Sequence, residues 1–242
     1  MCWSMGATVA MVGIGTAATA ITIRRRDRAA IPATLAYFTL MEALQVAGYA
    51  TVDRCGTPAN EVVALLSYLH IVFQPFFINA FAMALLAVAL RPAARVAVWI
   101  CCGLSAVVML MQLQPFSWAG QCEPGSILCG PALCVVSGSW HIAWEIPTND
   151  LLGPVRAMHW GISGFPTYGV AAFLVPLAYG AWRFVLFHIV AGPFLAWQLT
   201  QTVNEIPAVW CLFSIGIVLI ALSPWLRARF TVPPGWATPR AG

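Results

Sequence analysis

"EVVALLSYLHIVFQPFFINAFAMALLAVAL", residues 61–90, decides the architecture. Its 30 residues carry one charge, Glu61, at the first position. About 20 mostly apolar residues are enough to cross a bilayer. The run is nonetheless striped: Ser67, His70 and Gln74 recur at i, i+3, i+7, which is one helix face, and Asn79 lies deeper. Polar side chains inside a span are costly and turn toward the bundle interior. The stretch therefore reads as a membrane helix with a functional face.

The rest of the chain agrees. It is 61% hydrophobic and 8% charged, where soluble domains carry about 25% charged residues. The pattern predicts an all-α polytopic membrane protein with seven transmembrane helices, at about 4–23, 29–51, 61–90, 96–114, 158–181, 183–203 and 206–226. No basic region precedes Ser4–Ile23, so it reads as a retained span. Arginine sets the expected orientation. "RRRDR" (24–28), "RPAAR" (91–95), Arg183 and "RAR" (227–229) all fall on one side if the N-terminus is outside and the C-terminus inside. The expected domain is a single seven-helix unit over 1–232, with a long outside loop at 115–157 and a short disordered cytoplasmic tail at 233–242. Within the loop, 133–146 reads as a re-entrant or interfacial segment with Trp140 and Trp144 at headgroup level. The expected setting is a bacterial inner (plasma) membrane. The bilayer is the expected partner; nucleic acid is not.

All twelve basic residues are arginine. A retinal Schiff base needs a lysine amine, so a retinal pigment is excluded. Of eight cysteines, Cys55, Cys122, Cys129 and Cys134 fall on outside loops, where disulfides persist. Four cysteines allow three connectivities, and the sequence leaves the choice open. Cys2, after loss of Met1, would present an amine and a thiol on one residue, a chelating or nucleophilic pair.

Other spans add polar groups. Span two carries Glu42, Gln45 and Tyr49; span six carries Gln198, Gln201 and, at its outer end, Glu205. His141 and Glu145 share a face if their segment is helical, and His159 opens span five. Histidine and glutamate on facing helices make metal sites. The candidate metal ligands are His70, His141, His159, His188 and Glu42, with zinc as the expected ion. Glu145, Glu205 and Cys2 are the candidate catalytic groups, and Gln45, Ser67, Gln74 and Gln201 the supporting ligand-binding ones. The expected activity is a metal-dependent membrane hydrolase acting on a lipidic or amphipathic substrate. The alternatives are a transporter or sensor of a small polar ligand, and a b-type haem protein using His70 and His188. "HIVFQPF" (70–76) and "HIVAGPF" (188–194) repeat a pattern in which a proline frees a carbonyl one residue past each histidine; broken helices at membrane depth mark binding sites.

"MCWSM", "YFTLMEALQ", "SYLHIVFQPFFINA", "SWHIAWEIP" and "NEIPAVWC" together resemble uncharacterised bacterial multi-span membrane families of unknown function with a Met-Cys-Trp/Phe-Ser opening. The resemblance covers nearly the whole chain and implies the fold, with no assigned activity. The seven-span plan also resembles the membrane hydrolase superfamily of alkaline ceramidases and adiponectin-type receptors. Their Ser-x-x-x-His and His-x-x-x-His pattern is not met: here stand Ser67-x-x-His70 and His141-x-x-x-Glu145.

Overall fold

The computed structural model describes residues 3–153 and 165–231. Four long helices open the chain: α1 (Met5–Arg24), α2 (Ala30–Thr51), α3 (Pro58–Ala84) and α4 (Pro92–Met111). Local chemistry sets their starts. Ser4 accepts the Ala7 N–H and caps α1. Pro58 and Pro92 open α3 and α4, where the missing N–H has no helical partner to lose. A β-hairpin follows, with β1 (Cys134–Ser137) antiparallel to β2 (Ile142–Glu145). Then come α5 (Pro166–Ala178), containing a π-helical turn at Val170–Leu174; α6 (Trp182–Ile189), a second π turn (Val190–Phe194) and α7 (Leu195–Leu199); and α8 (Ile206–Ser214), α9 (Ile217–Leu222) and α10 (Pro224–Phe230).

Among the described residues, five stretches are long and apolar enough to cross a membrane: Met5–Arg24, Ala30–Thr51, Pro58–Ala84, Pro92–Met111 and Val203–Leu222. They coincide with five of the seven expected spans. The other two regions contain shorter pieces. Pro166–Ala178 falls within the first, and the second breaks at Gly192 (φ −109°, ψ −108°). The twin HIV-x-x-PF motifs therefore end differently. α3 runs through Pro75; the chain at Pro193 does not stay helical. The residue before each proline differs, Gln74 against Gly192. A Cβ at Gly192 would lie 2.4 Å from the Trp210 indole nitrogen.

The surface is apolar and the interior partly polar. Ile100 and Leu104 of α4 are 55% and 61% exposed, while Glu42 and Gln45 of α2 are fully buried. This inversion suits hydrocarbon as solvent. α1 packs closely on α2, where a Cβ on Gly15 would lie 2.1 Å from the Thr39 hydroxyl. One end of the bundle gathers arginine: Arg25 donates to the Leu222 carbonyl, Arg28 to Ala84 and Leu86, and Arg227 pairs with Asp27. The other end carries the hairpin.

The segment at 133–146, expected as re-entrant or interfacial, contains a two-stranded hairpin. Its β-branched residues, Val135, Val136 and Ile142, suit strands, and Trp144 is buried under it rather than placed at a surface. Asn60, at the start of α3, accepts the Val135 N–H (2.9 Å) and donates to the Val135 and Thr51 carbonyls. Asp53 accepts the Ser137 N–H (2.7 Å). Cys55–Cys134 ties β1 to the α2–α3 corner, and Cys122–Cys129 closes a short loop. The open connectivity is resolved to these two bridges. Free cysteines among the described residues are Cys101, Cys102 and Cys211.

Peptide mapping of unreduced protein is expected to recover the 55–134 and 122–129 crosslinks, and Cys55→Ser should leave Cys134 reactive while the 122–129 bridge persists. Recovery of a 55–122 or 55–129 crosslink would contradict the fold at the hairpin end.

Candidate functional site

Glu205 is the best-connected carboxylate in the structure. It is fully buried, at the end of a 3-10 turn (Val203–Glu205) that leads into α8. The hairpin turn wraps it. The backbone N–H groups of Ser139 (3.0 Å), Trp140 (2.7 Å) and His141 donate to it, as do the hydroxyls of Ser139 (2.9 Å) and Thr200. Consecutive N–H groups aimed at one anion form a nest. Gly138 makes the approach geometrically workable, since a Cβ there would sit 2.5 Å from the Glu205 carboxyl carbon. Glu205, expected as a catalytic group, is fully engaged as a clamp between the last membrane stretch and the hairpin. Trp3 adds to it, donating its N–H to the Trp140 carbonyl and stacking on that ring at 5.5 Å.

The described histidines occupy separate neighbourhoods. His70 stacks on Tyr37 at 3.9 Å and its Nε2 meets the Tyr37 carbonyl at 2.8 Å, while the Tyr37 hydroxyl donates to the His70 carbonyl. His188 accepts the Trp210 indole N–H (3.2 Å). His141 lies at the hairpin turn, its Nδ1 accepting the Ile142 N–H (2.7 Å), which places the imidazole proton on Nε2. Glu145 is at the far end of β2, about 13 Å away along an extended strand; it lines a cavity of ≈490 Å³ at the hairpin end, beside the Cys122–Cys129 bridge. Gln201 is exposed, because α7 stops at Leu199 and the helical spacing that would align it with Glu205 ends there. Among the described residues no three His, Cys, Asp or Glu side chains gather as a metal site. His159, Cys2 and the tail at 233–242 lie outside the described residues.

What the structure does bring together is different. α2 and α3 run antiparallel, in register at Thr34–Phe77, Tyr37–His70 and Thr51–Asn60, which puts Ser67 level with Glu42. Both carboxyl oxygens of Glu42, the Gln45 Oε1, the Ser67 Oγ, the Tyr49 hydroxyl and the His70 Nδ1 are buried without a hydrogen-bond partner among the described residues. Gln45, one turn from Glu42, donates to the Ala208 carbonyl (3.0 Å) on α8, the helix that carries Cys211.

Cys211 in turn lines a cavity of ≈190 Å³ between α3, α5, the second π turn and α8. Its polar edge is Gln74, which accepts the Tyr168 hydroxyl (2.6 Å) and directs its amide at the Cys211 sulfur. Phe173 of the first π turn, Pro193 of the second and Trp210 complete the walls. π turns inside helices concentrate at functional sites, because the extra residue leaves backbone groups unpaired. One of these groups is already taken: Asn79 receives the hydroxyl of Tyr179 and donates to the Ala171 carbonyl. Ile127 and Leu128, in the loop before β1, form the roof. Leu128 holds a left-handed backbone (φ 64°) while buried, a conformation costing about 1–3 kcal/mol that persists only when its surroundings dictate it. Its carbonyl accepts the Ile146 N–H (2.8 Å), and its neighbour Cys129 is held by the bridge. The sequence pointed to Gln74. It held no signal for Tyr168 or Leu128, whose residue types are ordinary in an apolar chain; Trp210 and Cys211 stood only inside a resemblance string.

Gly138→Ala is expected to cost about 1–3 kcal/mol through overpacking against Glu205, and Glu205→Ala more, because the three hairpin N–H groups lose their acceptor. Thermal unfolding in detergent reads both. His141 supplies a pH test. Burial pushes its pKa down to about 4, with the Glu205 charge pulling the other way. The unfolded chain then takes up the proton first, so stability is full above about pH 6.5 and falls as pH drops from there toward 4. His141→Gln should flatten that slope.

The family model of a family of unknown function, DUF5765, matches residues 6–231. No curated protein matches the chain, and no solved structure does. The match takes in every helix from α2 to α10, the hairpin and the cavity walls, and by it the chain belongs to this family of unknown function.

Proposed function

We propose that the chain is a seven-span protein of the bacterial inner membrane, N-terminus and hairpin outside, that binds a small amphipathic ligand in the cavity beneath the hairpin end, as a transporter or sensor. The carrying observation is the ≈190 Å³ cavity itself, bordered by both π turns and roofed by the strained Leu128. Its volume is below the ~300–1,000 Å³ of drug-sized sites, so it suits a small molecule or one arm of a larger one. Gln74 and Tyr168 give polar contacts along an otherwise apolar wall. Glu42, behind the cavity wall on α2 and buried without a hydrogen-bond partner among the described residues, favours a ligand with a cationic or hydrogen-bond-donating head, since an uncompensated buried carboxyl is costly. The arginine-rich end would face the cytoplasm, and both disulfides would face an oxidising exterior.

The test uses short-chain alkylamines, alcohols and carboxylates as probes. An amine in hundredfold excess over its Kd should stabilise the protein by about 2.7 kcal/mol and slow modification of Cys211 by N-ethylmaleimide. Gln74→Leu and Glu42→Gln should remove both effects while leaving the crosslinks intact. Chelator should change neither. Failure of every probe to protect Cys211, or protection that chelator abolishes, would overturn this reading, the second outcome in favour of a metal site.

A further inference from the structure

At the arginine-rich end, α6 and α10 flank an open groove of ≈540 Å³. Its floor is apolar: Leu186, Phe187, Val190 and Phe230. Its rim is Arg183 and Arg229. Each guanidinium lies over an indole, Arg183 on Trp182 at 5.3 Å and Arg229 on Trp225 at 5.2 Å. Such stacking orients the fork and holds it at headgroup depth, where tryptophan prefers to sit. Arg183 spends Nη1 on the Arg229 and Thr231 carbonyls (2.8 and 3.4 Å) and keeps its remaining donors.

The charge around this groove is one-sided. The chain has eight acidic residues. Asp53, Glu61, Glu123, Glu145, Asp150 and Glu205 belong to the hairpin end or its loops, and Glu42 to the interior of α2. Only Asp27 stands with the arginines, and Arg227 takes both its oxygens (2.8 and 3.0 Å). No carboxylate remains to neutralise Arg183 or Arg229.

We infer that this groove binds one anionic phospholipid, its phosphate held by Arg183 and Arg229 and an acyl chain laid along the α6 face. The guanidinium fork matches phosphate oxygens, and the apolar floor matches a chain that free phosphate lacks. This site is separate from the cavity under the hairpin.

Delipidated protein is offered phosphatidylglycerol or phosphatidylcholine in detergent, and retained lipid is counted by native mass spectrometry. Wild type should retain phosphatidylglycerol about tenfold better. Arg183→Gln with Arg229→Gln should erase the preference, and Arg95→Gln, at the same end but off the groove, should keep it. Ala191→Trp fills the groove without changing charge and should lower retention; it carries the test if the double variant fails to fold. Equal retention of the two lipids by wild type, or retention unchanged by Ala191→Trp, overturns the inference. So does a preference that appears only after removal of residues 233–242, which would assign the groove to the tail, or a second copy of the chain retained in place of lipid.

Discussion

A single buried carboxylate joins the two halves of this molecule. Glu205 stands at the mouth of the last membrane stretch, and five donors from the hairpin turn and Thr200 converge on it. Ionised acceptors make hydrogen bonds roughly twice as strong as neutral ones, and burial removes the competition from water. The hairpin is otherwise attached to the α2–α3 corner, through Asn60, Asp53 and Cys55. It therefore bridges the α2–α3 corner and the start of α8. The roof over the cavity hangs from that bridge, because Leu128 and Cys129 pair with Ile146 just beyond β2.

Much of the architecture is legible in the sequence. Hydrocarbon imposes a simple rule, and the apolar lengths and the stripe at Ser67, His70 and Gln74 obey it: all three are buried on one face of α3. The outer cysteines were legible as disulfide partners, and only their pairing needed three dimensions. The hairpin was not. A 14-residue apolar segment with aromatic residues satisfies helix and strand equally, and what decides for strand is remote: Asn60 and Asp53 present side chains that replace ladder partners for β1. Glu205 leaves the expected helix face for a related reason. Its spacing from Gln198 and Gln201 describes a helix face, but the chain turns extended at Thr200 (φ −124°, ψ 144°), and that turn frees Glu205 to face the hairpin.

The histidines teach a further point about reading polar residues in apolar chains. The expectation was that two or three of His70, His141, His159 and His188 share a metal. Each of the three described histidines has a local partner, a carbonyl at Tyr37, an indole at Trp210, a backbone N–H at Ile142, and keeps one ring nitrogen without a partner among the described residues. Singly satisfied imidazoles can serve a ligand or a proton without needing a shared ion. The unpartnered groups nearest one another are on α2 and α3 around Glu42, and this is where the sequence-level stripe and the structure agree.

The position of the two bridges dictates an order of assembly. Cys122 and Cys129 are seven residues apart and can close as soon as their loop emerges; Cys55 and Cys134 are 79 apart and wait for the hairpin. Glu205 comes later still, so the hairpin turn presents its N–H groups to solvent until the final membrane stretch is threaded. A chain cut short of residue 205 would keep all four bridging cysteines and lack the carboxylate that the hairpin turn closes on.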